Sequence, residues 1–234
     1  MPYDPHPNHE GFLNSVGSPI QHRFNPHTDN GGTTLAIAGK DFCLVAGDTR
    51  QSEGYSINTR YAPKVHELSN GSVLATSGMY ADSVNLVLNI ETRLEWYKHK
   101  HNKTMSATAS AQMLMTVLYQ KRFFPYYVFN ILGGVDEKGE GCVFSYDPVG
   151  CYRRETYQAH GSSAALIQPF LDNQCGAKHQ NIKEELLTLD QAMKITKDAF
   201  ASATERDIYT GDYLEIFVIK KSGVTKHKFD LKKD

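Results

Sequence analysis

The chain has 234 residues, of which 40% are hydrophobic, 11% aromatic and 22% charged, with a mean hydropathy of −0.45. A chain of this make-up buries a substantial core in one domain and is neither collagen-like nor wholly disordered. Lys and Arg total 25 against 26 for Asp and Glu, a net charge of −1, so the basic excess of a phosphate-neutralising nucleic-acid binder is missing.

No stretch approaches the roughly 20 apolar residues that span a bilayer. Met1–Gln21 is rich in Pro, His, Asn and Gly and lacks the basic and apolar regions of a secretory signal. An intracellular protein is therefore expected, with Cys43, Cys142, Cys151 and Cys175 as widely spaced, reduced thiols.

The first thirty residues show no apolar period and read as an extended leader. Regular structure is predicted from Thr33 to Gly39 and from Phe42 to Asp48, two runs apolar on both parities, as in paired strands covered on both faces. Further strands are predicted at Val65–Leu68 and Ser72–Ser77, flanking an Asn70-Gly71 turn signal. The period then changes. Leu86, Ile90, Leu94 and Tyr97 define one helix face between Tyr80 and Lys98, and Ala111, Leu114, Met115 and Leu118 another between Ser106 and Arg122. Tyr127–Gly133 and Gly141–Asp147 read as a strand pair. A third helix is predicted near Ser162, kinked or shortened by Pro169. Thr188 with Gln191 three residues on signals a capping box for a fourth. Tyr213–Lys220 and Val224–Phe229 close the chain as a hairpin. Strands, helices, strands and helices again point to an α+β layered domain rather than a βαβ repeat.

Familiar catalytic motifs are missing. His99-Lys100-His101 sits at a helix end, and no His or Cys shows ligand spacing, so neither a metal nor another cofactor is expected. There is no Walker loop, no GxGxxG and no GxSxG, and Gly161-Ser162-Ser163 reads as a helix start.

What remains is an ordered set of segments: Gly31-Gly32-Thr33-Thr34-Leu35-Ala36, Ala46-Gly47-Asp48-Thr49-Arg50, Lys64, Ser77-Gly78-Met79-Tyr80-Ala81-Asp82, and Arg206-Asp207-Ile208-Tyr209-Thr210-Gly211-Asp212. Together they resemble the beta subunits of the proteasome core particle, which are N-terminal-nucleophile hydrolases of the peptidase T1 family. The resemblance runs from Arg23 to the C-terminus. The Arg122–Tyr127 and Tyr146–Gly150 runs and Glu205–Asp212 look like a non-catalytic member of the ring.

That resemblance implies a four-layer αββα sandwich, a prosegment over residues 1–22 and one domain over 23–234. Active relatives attack peptides with an N-terminal threonine tuned by an aspartate and a lysine. Alignment of Thr33-Thr34-Leu35-Ala36 puts Gly32 where that threonine belongs, with Asp48, Lys64 and Asp207 on the supporting positions and Gly78 on the oxyanion-binding amide. His160 and Thr210 stand where relatives carry serines. Glycine has no hydroxyl, and a one-residue shift to Thr33 turns the side chain to the opposite face of the strand. The implied role is a structural component of the 20S core, which degrades ubiquitinated and unfolded proteins, and not an enzyme by itself. The competing reading is an active threonine peptidase with Thr33 as nucleophile. Asp147, in the Ser145–Gly150 loop, is the candidate for shaping a neighbour's chymotrypsin-like pocket. Implied partners are the other beta subunits of two stacked rings, especially the chymotrypsin-like and seventh ones, the alpha ring, and regulatory particles acting through the core. Nucleic acid and membrane are not expected as partners, and the implied location is cytoplasm and nucleus.

Overall fold

The computed structural model describes residues 26–176 and 186–234; the predicted prosegment, 1–22, lies outside the described residues. The chain opens with the hairpin β1 (Thr33–Ala38) and β2 (Phe42–Asp48), followed by a short exposed ribbon, β3 (Gln51–Glu53) and β4 (Ser56–Thr59). Next come β5 (Val65–Glu67) and β6 (Val73–Gly78), then the helices α1 (Tyr80–His101) and α2 (Ala107–Gln120). Strands β7 (Val128–Val135), β8 (Gly141–Tyr146), β9 (Tyr152–Glu155) and β10 (Tyr157–Gly161) precede α3 (Ala164–Gln174) and α4 (Leu189–Thr204). The hairpin β11 (Tyr213–Lys220) and β12 (Gly223–Asp230) ends the fold.

Two five-stranded antiparallel sheets result, ordered β10-β1-β2-β11-β12 and β5-β6-β7-β8-β9. Strand alternation sorts each sheet between two cores. On the first sheet Leu35, Ile37, Leu44, Leu214 and Ile216 face Ile167, Leu171, Phe200 and Ala203 of α3 and α4. On the second, Leu74, Val128, Leu132 and Phe144 face Leu86, Ile90, Leu114 and Leu118 of α1 and α2. The opposite parities, Ala36, Ala38, Cys43, Val45, Val73, Ala75, Ile131 and Val143, meet between the sheets. The layers are therefore helices, sheet, sheet, helices, the predicted αββα order. Gly133 allows the sheets to close, because a Cβ there would overlap Val45 and lie 2.8 Å from Cys43 Sγ.

Local signals act as their chemistry requires. The Thr188 hydroxyl accepts from the Gln191 amide while the Gln191 side chain accepts from the Thr188 amide, completing the capping box at the start of α4. The Ser106 hydroxyl caps α2 by accepting from Ala109 N. Pro169 does not end α3, which continues past it to Gln174. Proline at 169 leaves the Ala165 carbonyl without its helical donor, but both residues are exposed and water can supply the bond. Four strands were not predicted: β3, β4, β9 and β10 are short and carry polar residues such as Tyr152-Arg153-Arg154-Glu155. The outer surface bears large apolar side chains, with Phe123 97%, Tyr55 96% and Trp96 74% exposed.

Candidate functional site

The hairpin of β1 and β2 brings the N-terminal glycine pair to the end of β2. Gly31 and Gly32 have φ of +67° and +85°, so the chain bends through conformations glycine adopts freely before entering β1. Asp48 ends β2, fully buried, and accepts from Thr33 N at 2.8 Å, Gly211 N at 3.2 Å and Arg50 N at 3.3 Å. Lys64, 5% exposed, pairs with Asp48 at 3.2 Å and donates to the Arg50 carbonyl at 2.5 Å. Burial pushes the Asp48 carboxyl up and pulls the Lys64 ammonium down; the ion pair opposes both shifts.

Gly32 lies against this pair. A Cβ at residue 32 would overlap Lys64 Cε and lie 2.5 Å from its Nζ and 2.9 Å from Asp48 Oδ1. The lysine side chain thus occupies the volume that any residue other than glycine would need. Thr33, one residue on, turns the other way. Its hydroxyl lies 2.8 Å from that of Thr210 and accepts from Ser163 N at 3.1 Å. It faces the helix side of the sheet, as alternation requires.

Asp207 belongs to this second group rather than to the Asp48–Lys64 pair. It accepts from the hydroxyls of Ser162 at 2.6 Å, Ser163 at 2.5 Å and Thr210 at 2.7 Å, and from Tyr209 N at 3.0 Å. The replacement of family serines at 160 and 210 therefore leaves Asp207 well supplied with hydroxyls. The sequence had marked Ser162 and Ser163 as a helix start, and their joint approach to a residue 44 or 45 positions away had no local signal. Burial opposes ionisation of Asp207, but these hydroxyl bonds prevail and hold its carboxyl below the ordinary range. The carboxylate thus adds stability above the unfolded value of about 3.9, and that stability is lost as pH falls through the lower folded value. Asp207→Asn is expected to flatten the acid side of the stability profile, which an acid titration of the urea unfolding midpoint would show.

His160 points into the cleft instead of toward Asp207. Its Nε2 is 2.8 Å from Ser145 Oγ and its ring lies 5.8 Å from that of Phe129. Burial pulls the imidazole down to about 4, so it is neutral near neutral pH. Gly78 closes the far end of β6 at φ +116°, where a Cβ would lie 2.5 Å from the Tyr127 carbonyl oxygen. Asp29, Gly31, Gly32, Gly78, Phe129 and His160 are among the walls of a cleft of about 230 Å³. Asp147 lies outside these walls, in the loop after β8. Its Oδ1 accepts from Val149 N at 3.0 Å and Cys151 N at 2.7 Å, closing a turn. His99 lies 3.9 Å from Glu95, and the His101 ring packs tilted against Tyr97 at 4.5 Å.

Chemically, the site has a buried carboxylate and ammonium but no hydroxyl between them. The Thr33 hydroxyl is held on the opposite face of β1.

Residues 28–219 match the family described as proteasome subunit. The chain is 51% identical over 217 residues to proteasome subunit beta type-1 of Danio rerio, covering 92% of each chain. It is 50% identical over 216 residues to proteasome subunit beta type-1 of Arabidopsis thaliana, covering 90% of this chain and 97% of that one. Identity to proteasome subunit beta type-6 of Saccharomyces cerevisiae is 47% over 227 residues, or 93% and 94% of the two chains.

Proposed function

The chain belongs to the proteasome subunit family, and from that premise we propose that it serves as a non-catalytic structural beta subunit of the core particle. The observation that carries the reading is at Gly32. The position lacks a side chain, Lys64 fills the space, and the Thr33 hydroxyl is engaged by Thr210 and Ser163 on the other face. A hydroxyl nucleophile needs an adjacent base within reach, and residue 32 offers the Asp48–Lys64 pair no side-chain hydroxyl to activate. Particles purified through a tag on this subunit and treated with a threonine-directed covalent inhibitor are expected to carry label on other beta subunits and none here. Label on Thr33, or a mature N-terminus at Thr33, overturns the proposal.

In the assembled particle the chain takes its place among two stacked beta rings, beside the chymotrypsin-like and seventh beta subunits and against the alpha ring. Exposed Phe123, Tyr55 and Trp96 suit burial against protein neighbours. Regulatory particles reach it through the core, in cytoplasm and nucleus. Removal of residues 1–22 during maturation leaves an extension ahead of Gly32, which intact-mass measurement of the assembled subunit checks.

Asp147 is proposed to tune the neighbouring chymotrypsin-like pocket. Its Oδ1 is tied into the turn, which fixes the carboxyl in place. Asp147→Ala is expected to change the ratio of cleavage between charged and apolar peptides severalfold, with assembly unaffected. An unchanged ratio removes the idea.

A further inference from the structure

The segment ahead of Gly32 runs along the cleft, with Asp29 and Gly31 among its walls. On one side it meets Ser52 in β3; on the other it meets the end of β6 at Gly78 and the start of α1 at Tyr80. Asn30 bridges the two. Its amide donates to the Gly78 carbonyl at 3.1 Å, and its carbonyl accepts from Ser52 N at 3.1 Å and Ser52 Oγ at 3.3 Å. Its side-chain amide donates to the Ser52 carbonyl at 3.1 Å and accepts from Tyr80 N at 2.9 Å. An extended peptide laid between two chain edges binds through main-chain groups of this kind. A carboxamide is the side-chain copy of a peptide unit, so one buried asparagine engages main-chain groups on both sides of the segment.

A second anchor lies three residues upstream. The His27 ring is 5.6 Å from Phe124 and 5.5 Å from Tyr127. Between the anchors the Asp29 carboxylate accepts from Gly31 N at 2.9 Å. A Cβ at Gly31 would lie 2.7 Å from Tyr209 Cβ, so the segment is seated against the protein at this residue also. The space left beneath, about 230 Å³, falls short of the roughly 300–1,000 Å³ of ligand-sized pockets.

We propose that residues 27–31 form a built-in strap that fills the groove an extended peptide needs to approach Gly32, closing this subunit's cleft to peptides. The proposal rests on the non-catalytic reading above, since a working site would have to keep the groove open.

The test uses assembled particles with a tagged subunit and an extended peptide bearing a photoreactive group. Crosslinks are mapped by mass spectrometry and amide exchange is followed at Ser52 and Tyr80. The intact strap is expected to leave Phe129 and His160 unlabelled. Asn30→Ala is expected to bring crosslinks to both and to speed Tyr80 exchange by roughly fivefold to tenfold, the effect of one lost hydrogen bond. If Asn30→Ala does not assemble, His27→Ala at the outer anchor gives the same crosslinking readout. Equal labelling of wild type and variant, or no labelling of either variant, overturns the strap. Covalent inhibitor on Thr33 overturns instead the non-catalytic reading, whatever the crosslinks show.

Discussion

Asp212→Ala is expected to destabilise the subunit by about 3–5 kcal/mol, the range for removing one partner from a buried ion pair. Asp212 is fully buried, with Oδ2 2.8 Å from Arg50 Nε and Oδ1 2.5 Å from the Arg60 guanidinium. The Arg50 side chain is only 2% exposed and also donates to the carbonyls of Ile208, Lys232 and Asp234. Loss of the carboxylate strands this guanidinium and loosens the last four residues together. Arg60 contributes less, because half its side chain lies in water. Asp212 also has φ +69°, which alanine tolerates at a cost of about 1–2 kcal/mol. Asp212→Gly separates the two effects, since it relieves the backbone and still deprives Arg50 of its buried carboxylate partner. Urea unfolding of the three proteins would measure this. An alanine variant as stable as wild type, with the same positive φ and no carboxylate, would show that the carboxylate contributes nothing.

The second large effect lies at Gly32. Gly32→Ala is expected to cost about 2–5 kcal/mol, from overpacking at about 1–3 kcal/mol and a positive φ at about 1–2 kcal/mol. The shortest contacts of the new Cβ are with Lys64, so most of the steric part is lost in a Lys64→Ala background while the contact with Asp48 and the backbone part stay. A double-mutant cycle reads the difference directly; additive costs would show that lysine and glycine do not share the space. Gly32→Thr restores a hydroxyl, yet no peptidase activity is expected while residue 31 stays attached. The nitrogen of residue 32 is then an amide, with no free amine to assist. A fluorogenic peptide assay on particles whose other sites are blocked checks this.

The opening strand pair was readable because β1 and β2 are apolar on both parities, as strands covered on both faces are, while the αββα order came from the family resemblance. The opposed orientations of Gly32 and Thr33 followed from the same period of two. Other features had no such period to announce them. Strands β9 and β10 are short and half exposed, and pairing with β8 and β1 holds them, not composition. Asn30 sits in a stretch of Pro, His and Asn residues, where its bonds to Ser52 and Tyr80 depend on partners 22 and 50 positions away. The hydroxyls around Asp207 converge from the start of α3 and the loop after α4, a meeting that only the packing of those helices creates.

The bare aromatic side chains on the outer surface also bear on how the cell regulates the amount of this protein. A copy without neighbours presents Phe123, Tyr55 and Trp96 to water, the kind of surface that self-associates or is captured by quality control. Excess copies would be removed, and steady-state abundance would follow that of the other chains in the assembly, keeping the stoichiometry balanced without a dedicated sensor.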